Sequence, residues 1–258
     1  MNENQNSSTT VDGVRGIEMR YRPIYETDTK EPAFFQTRIR LNSPDSGVIL
    51  PERFMPVLEN SDRGISVFKL ALLQTVKAAE KFRERELEFG WISLFTPMRL
   101  LRKKDCAGIV TEFVRQIGAS PDKICLEIPP LVIGDEDGFC DESMKKLRKA
   151  GFHTMLCGIG ANNFPLFRLS ELEPEYVMLE ENVLSMAGRS EKADSCLHSL
   201  ISTLGELGAE PVASGVPSFE IADLLYDMRC SYYTAEENSG ERGSSFMLER
   251  FVRRRNQD

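Results

Sequence analysis

Histidine is nearly missing from this chain of 258 residues: there are two, His153 and His198. A histidine-rich metal site is therefore excluded, and any metal would have to rest on carboxylates or thiolates. Long apolar runs are missing as well. The most apolar window, residues 65–76, is interrupted by Lys69 and Gln74 and falls short of the ~20 residues a membrane helix needs. The six cysteines, at 106, 125, 140, 157, 196 and 230, include no C-x-x-C spacing. Their apolar neighbours predict buried, reduced thiols of a cytosolic protein. Residues 1–10 are rich in Asn and Ser and lack the basic and apolar regions of a signal peptide. Basic residues are outnumbered, 32 against 40 acidic, for a net charge of −8. Such a chain repels a phosphate backbone, so nucleic acid is not expected as a partner, nor is a membrane. A cytoplasmic location is the expectation.

What is present is ordinary globular material, 41% hydrophobic and 28% charged, enough to build a core. Residues 1–17 read as a flexible polar tail. From residue 18 to about 240, short apolar runs alternate with longer amphipathic stretches. Strands are predicted at 19–25, 33–41, 89–95, 124–128, 153–157, 176–179, 211–214 and 231–233, with Pro23 marking an irregular or edge position. Helices are predicted at 51–60, 65–88, 106–118, 136–150, 164–171, 191–207 and 218–228. The long one carries Val67, Leu70, Leu73, Val76 and Ala79 on one face. Repeated βαβ units over about 230 residues suit a closed (β/α)8 barrel in a single domain better than an open sheet. Residues 241–258 form a basic tail with Arg250, Arg253, Arg254 and Arg255.

Particular segments narrow this. Tyr21-Arg22-Pro23-Ile24 stands where one known family has Tyr-Gln-Pro-Ile. Residues 42–56, NSPDSGVILPERFMP, match that family's stretch of His-Pro, Gly and Pro-x-x-Phe-Ile-Pro. Leu126-Glu127-Ile128 matches Leu-Glu-Ile-Thr-Glu, residues 147–152 match the Leu-x-x-x-Gly entry to an Asp-Asp-Phe-Gly strand, and residues 212–216 match Val-Ala-Glu-Gly-Val. In order and spacing the chain resembles the EAL domain, the cyclic-di-GMP phosphodiesterase module. The resemblance implies a TIM-like (β/α)8 barrel with an irregular start.

Enzymes of that family hold two divalent metals with carboxylates, an asparagine and a lysine-assisted water, and the resemblance locates those positions here. Glu-Ala-Leu becomes Gln36-Thr37-Arg38, and the asparagine falls at Leu94 or Ser93. The Asp-Asp pair becomes Cys157-Gly158, the lysine Met178 and its aspartate Glu180. The glutamate before Gly215 becomes Ser214, and a glutamine near the last strand becomes Thr234. Glu127 alone matches, with Glu180 as a longer substitute. Two isolated carboxylates do not hold two cations ~4 Å apart against their mutual repulsion. No metal and no cofactor is expected, and the expectation is a catalytically inactive, degenerate phosphodiesterase, with an active phosphodiesterase as a minor alternative.

Three readings follow. Degenerate members of the family tend to act as protein-binding regulators of motility, biofilm or transcription, which implies an unidentified regulatory protein as partner, with a homodimer as a further option. Alternatively the chain is a cyclic-di-GMP receptor that does not hydrolyse its ligand. Arg40 stands where the family grips a phosphate, a task suited to a bidentate guanidinium, with Gln36, Arg38 and Arg22 as further donors. The third reading, altered chemistry at Cys157, is set aside: His153, four residues earlier on the strand, lies roughly 13 Å away at ~3.3 Å per residue.

Overall fold

The computed structural model describes residues 17–43, 47–134, 138–160 and 168–235. The strands are β1 (Ile17–Glu26), β2 (Pro32–Ser43), β3 (Gly47–Ile49), β4 (Ile92–Phe95), β5 (Ile124–Ile128), β6 (His153–Ile159), β7 (Tyr176–Leu179), β8 (Glu210–Val216) and β9 (Tyr232–Ala235). The helices are α1 (Pro51–Glu59), α2 (Asp62–Glu84), α3 (Met98–Leu101), α4 (Cys106–Gln116), α5 (Phe139–Lys149), α6 (Leu169–Leu172), α7 (Glu181–Leu184), α8 (Glu191–Glu206) and α9 (Phe219–Asp227). The sheet runs β1-β9-β8-β7-β6-β5-β4-β2-β3, and a β1–β2 pairing closes it into a barrel of eight strands, with β3 outside the ring as an extension of β2. The expected (β/α)8 barrel is therefore the fold.

Eight strands were expected and nine are described, because Gly47–Ile49, where no strand was expected, pairs back onto β2 with Ser43 opposite Gly47. The helices α3 and α7, four residues each, leave no periodic signal and were not expected. Pro23, expected at an irregular or edge position, keeps regular pairing. It lies in β1 opposite Phe35, and the register shifts just beyond it, between Ile24 and Tyr25. The tail expected over 1–17 gives up its last residue, since β1 begins at Ile17. The rest of that tail, residues 164–167 of the helix expected over 164–171 and the basic residues 241–258 lie outside the described residues.

The long helix starts earlier than its apolar pattern suggests because Ser61 caps it, its hydroxyl accepting from the Gly64 N–H at 3.2 Å. Its buried face also differs from the expected one: Phe68, Ala71, Leu72, Thr75, Val76, Ala79 and Phe82 pack inward. Strict spacing by three drifts around a helix of 3.6 residues per turn, so Val67, Leu70 and Leu73 end on the flank.

Strand alternation separates two cores. Outward residues such as Phe35, Ile39, Leu94 and Leu126 pack beneath the helices. Inward residues fill the lumen with Ile24, Phe34, Trp91, Cys125, Met155, Tyr176, Met178 and Val212. At the end where the parallel strands begin, Phe34 stacks on Trp91 with centroids 4.0 Å apart, and Tyr176 meets Trp91 edge-on at 5.0 Å. Tyr232 completes this aromatic plug, 5.0 Å from Phe34. The opposite end, where the strands terminate, is polar.

Two stability outcomes follow. Trp91→Ala should cost about 3–5 kcal/mol in denaturant unfolding, the usual loss for a buried aromatic; a loss below 1 kcal/mol would mean that the plug does not hold the barrel. At the end of α1, burial pushes the Glu59 carboxyl up to about 7, against the lowering effect of the Met98 N–H that bonds it. The folded chain then keeps a proton that the unfolded chain has released, so stability falls as pH rises from the ordinary glutamate range through about 7. The melting-temperature advantage of Glu59→Gln over the parent should widen from pH 5 to pH 8.

Candidate functional site

The strand ends form a mouth whose floor is built by period-two alternation on β1 and β2. These strands run antiparallel, with Arg22 opposite Gln36, Arg20 opposite Arg38 and Glu18 opposite Arg40. Gln36 faces Phe34's side of β2, toward the lumen, and Ser93 of β4 is its partner in register. That alignment decides between the two candidates for the lost asparagine: Ser93 points into the barrel, whereas Leu94 packs beneath the helices.

Arg22 is 1% exposed. Its Nη2 donates to Gln36 Oε1 at 2.5 Å and its Nε to the same oxygen at 3.1 Å, while Nη2 reaches Ser214 Oγ at 3.3 Å. Arg22, expected as a donor to a ligand, makes these bonds within the floor. Gln36 Nε2 lies 3.7 Å from Met178 Sδ across the lumen. Ser93 Oγ donates to Glu127 Oε1 at 2.5 Å.

Glu127 sits among positive neighbours. Burial raises its pKa, and Arg38, hydrogen bonds from Ser93 and Gln36, and the charge of Arg22 pull against that rise. Cys157 lies beside it. Its thiol is pushed well above the ordinary value, first by burial and then by the negative fields of Glu127 and Glu180. A thiol so placed stays protonated and is a poor nucleophile. His153 is committed elsewhere, its Nδ1 2.7 Å from Glu175 at the opposite end of the strand.

The loops above the floor are packed to suit these side chains. Gly158 has φ +89, and a Cβ there would lie 2.6 Å from Pro130 Cγ. Thr234 Oγ1 accepts the Gly215 N–H at 3.1 Å, and Glu181 lies over Gly215, where an added Cβ would meet its Cδ at 2.9 Å. Glu180 follows β7 directly and caps α7, its N–H bonded to Ile159 O at 2.9 Å. Arg40 and Arg38 are half-buried on the mouth side of β2. Sequence reading missed Arg20, which is ion-paired with Glu18; the alternation Arg20, Arg22 on one strand face was the available signal. It also missed Pro130 and Glu181, which only the three-dimensional packing brings to the mouth.

The model of the family described as "EAL domain" matches residues 11–234. The chain belongs to the EAL domain family. Signaling protein YkoW of Bacillus subtilis is 16% identical over 214 residues, covering 83% of this chain and 27% of that protein. The uncharacterized protein Rv1354c of Mycobacterium tuberculosis is 22% identical over 231 residues, covering 84% of this chain and 36% of that protein. The chain thus spans about a third of the length of these curated relatives. Among solved structures, the EAL enzyme Bd1971 in its cAMP- and cyclic-di-GMP-bound form superposes with a TM-score of 0.81 at 18% identity, over 90% of this chain and 64% of that one. The FimX EAL domain of Pseudomonas aeruginosa bound to c-di-GMP gives 0.74 at 12% identity, over 87% and 90%. At these identities the superpositions speak for the fold.

The two metals implied by the family do not fit these residues. The floor presents one carboxylate, Glu127, beside an amide, two hydroxyls and a thioether in Gln36, Ser93, Ser214 and Met178, with a guanidinium bonded at its centre. Hard divalent cations need several anionic oxygens held close together.

Restoring the family's aspartate at Gly158 should fail on steric grounds. Gly158→Asp places a side chain at left-handed backbone against the Pro130 ring, for a combined loss of about 2–4 kcal/mol. Chemical unfolding would measure it, and Pro130→Ala should recover part of the loss. A variant as stable as the parent would refute the interlock.

Proposed function

We propose that this barrel is a non-hydrolysing EAL domain that acts in cyclic-di-GMP signalling by binding a regulatory protein. The observation that carries the reading is the floor of the mouth, where Arg22 is bonded to Gln36 and Ser214 beside Met178. Hydrolysis of a phosphodiester needs charge stabilisation on both the attacking and leaving oxygens and a means of activating water. In this floor the basic side chain Arg22 is already engaged as a donor, and the one family carboxylate, Glu127, is tied to Ser93. The protein partner is inferred from what degenerate members of the family tend to do.

A second reading is favoured by one feature. Arg38 and Arg40 stand half-buried on the mouth side of β2, and their guanidinium groups suit phosphate oxygens without metal. Two of the superposed structures are described as cyclic-di-GMP-bound, which makes that dinucleotide the ligand to test. This reading makes the chain a receptor, and Arg40 its gripping residue.

Two measurements separate the readings. Incubation with cyclic-di-GMP and either magnesium or manganese should leave the nucleotide intact by chromatography, and enzyme-dependent appearance of the linear dinucleotide would defeat the proposal. Titration calorimetry in EDTA should give no heat at tens of micromolar protein if the barrel works through protein contacts alone. Micromolar binding that weakens at least tenfold in Arg40→Ala would favour the receptor.

A further inference from the structure

The mouth poses a question that loss of activity alone does not answer: what balances Glu127. A carboxylate removed from water needs a positive or strongly donating neighbour, otherwise it takes up a proton or disrupts the fold. In a site with divalent cations the metals would meet that need. Here two guanidinium groups act on it, Arg38 more strongly than Arg22. Arg22 sits on the floor at hydrogen-bond distance from Gln36, the residue at the position of the family's first metal-binding carboxylate. Arg38, two residues along on the same strand face, supplies the strongest of the fields that lower the Glu127 carboxyl.

The geometry points to Arg22 as a built-in cation: its guanidinium holds the space and supplies the positive charge that divalent metals would otherwise provide, which makes the mouth indifferent to metals. The inference rests on the non-hydrolysing reading and deepens it. Three features of the contact set carry it. Both Nε and Nη2 of Arg22 converge on one oxygen of Gln36, at 3.1 and 2.5 Å, so that oxygen faces a guanidinium rather than an open cavity. Nη2 also reaches Ser214 at 3.3 Å, which stretches the charge from β2 toward β8. And Gln36 is an amide: its oxygen accepts from Arg22 while its nitrogen faces Met178 and, through a further hydrogen bond, Glu127. A neutral residue at 36 passes hydrogen bonding on from the guanidinium to Glu127. A glutamate there would instead form an ion pair with Arg22 and lose its donor. The amide and the arginine are thus matched to one another, and restoring the carboxylate alone does not reopen a metal site while Arg22 stays.

The test is the metal dependence of thermal stability, read together with manganese calorimetry, on three proteins. The parent should melt at the same temperature in magnesium, manganese or EDTA. Gln36→Glu combined with Ser93→Asn returns two ligand types and keeps Arg22; it should remain blind to metal in both measurements. Adding Arg22→Gln to that pair should create a measurable manganese isotherm and a rise of several degrees in Tm at saturating metal, as expected when a ligand binds only the native state. Metal binding by the variant that retains Arg22 overturns the inference. So does absence of binding in the triple variant when its circular dichroism shows it folded. If the triple variant does not fold, the Arg22-retaining pair still decides, supported by its metal blindness and overturned by its binding. These outcomes are independent of the hydrolysis assay, so failure of the built-in cation and failure of the non-hydrolysing reading are told apart.

Discussion

The hydrogen-bonded guanidinium of Arg22 is the contact on which the upper half of the barrel turns. β1 is the one strand of the ring that runs antiparallel to both of its neighbours, and it meets β9 through only two residue pairs, Tyr25 with Tyr233 and Glu26 with Tyr232. Above those pairs the seam has few ladder bonds to hold it. Arg22 reaches across it, bonded on one side to Gln36 of β2 and on the other to Ser214 of β8. A buried arginine is costly unless its donors are met; meeting them with residues from two other strands makes the side chain a clasp for the closure as well as a charge. Below, the Tyr25–Tyr233 stack at 5.4 Å and the plug around Trp91 close the same seam by packing.

The two ends of the barrel therefore divide the work. The end where parallel strands begin is aromatic and dry, and its polar groups lie at the rim, as in the His153–Glu175 pair. The end where they terminate is polar and interlinked, running from Ser214 through Arg22 and Gln36 to Glu127 and Ser93. In a (β/α)8 barrel the second end is where chemistry resides and the first is where stability resides. This chain keeps that polarity, although the groups at its functional end now bond chiefly to each other.

Much of the fold was legible in the sequence. The strands β5 and β7 coincide with their apolar runs, 124–128 and 176–179, because turn residues and helices bound them sharply. β3 was hidden because its partner is the end of β2, so its reason for being extended lies in another segment. At the site, motif spacing located Gln36, Glu127, Met178 and Ser214, and alternation on a strand was enough to choose Ser93 over Leu94 once the register was known. What motif comparison could not supply was engagement. Arg22 and Arg40 look equivalent in sequence as strand arginines, yet one is 1% exposed within the floor and the other lies half-buried toward the mouth. The direction of β1, antiparallel to its neighbours, sets that difference.

The substitutions at the mouth also make sense in sets rather than singly. Gly158 stands where the family has an aspartate, and the ring of Pro130 occupies the space that a Cβ there would need. Gln36 replaces a carboxylate, and Arg22 donates twice into its oxygen. A carboxylate lost on its own would leave an unfilled polar cavity, and an arginine gained on its own would leave a buried charge without acceptors. Each change is stabilised by the other, so the path back is not a single step. Restoring Gly158 to aspartate meets Pro130, and restoring Gln36 to glutamate meets Arg22. A mouth in which these side chains hold one another in place is a packed, specified structure.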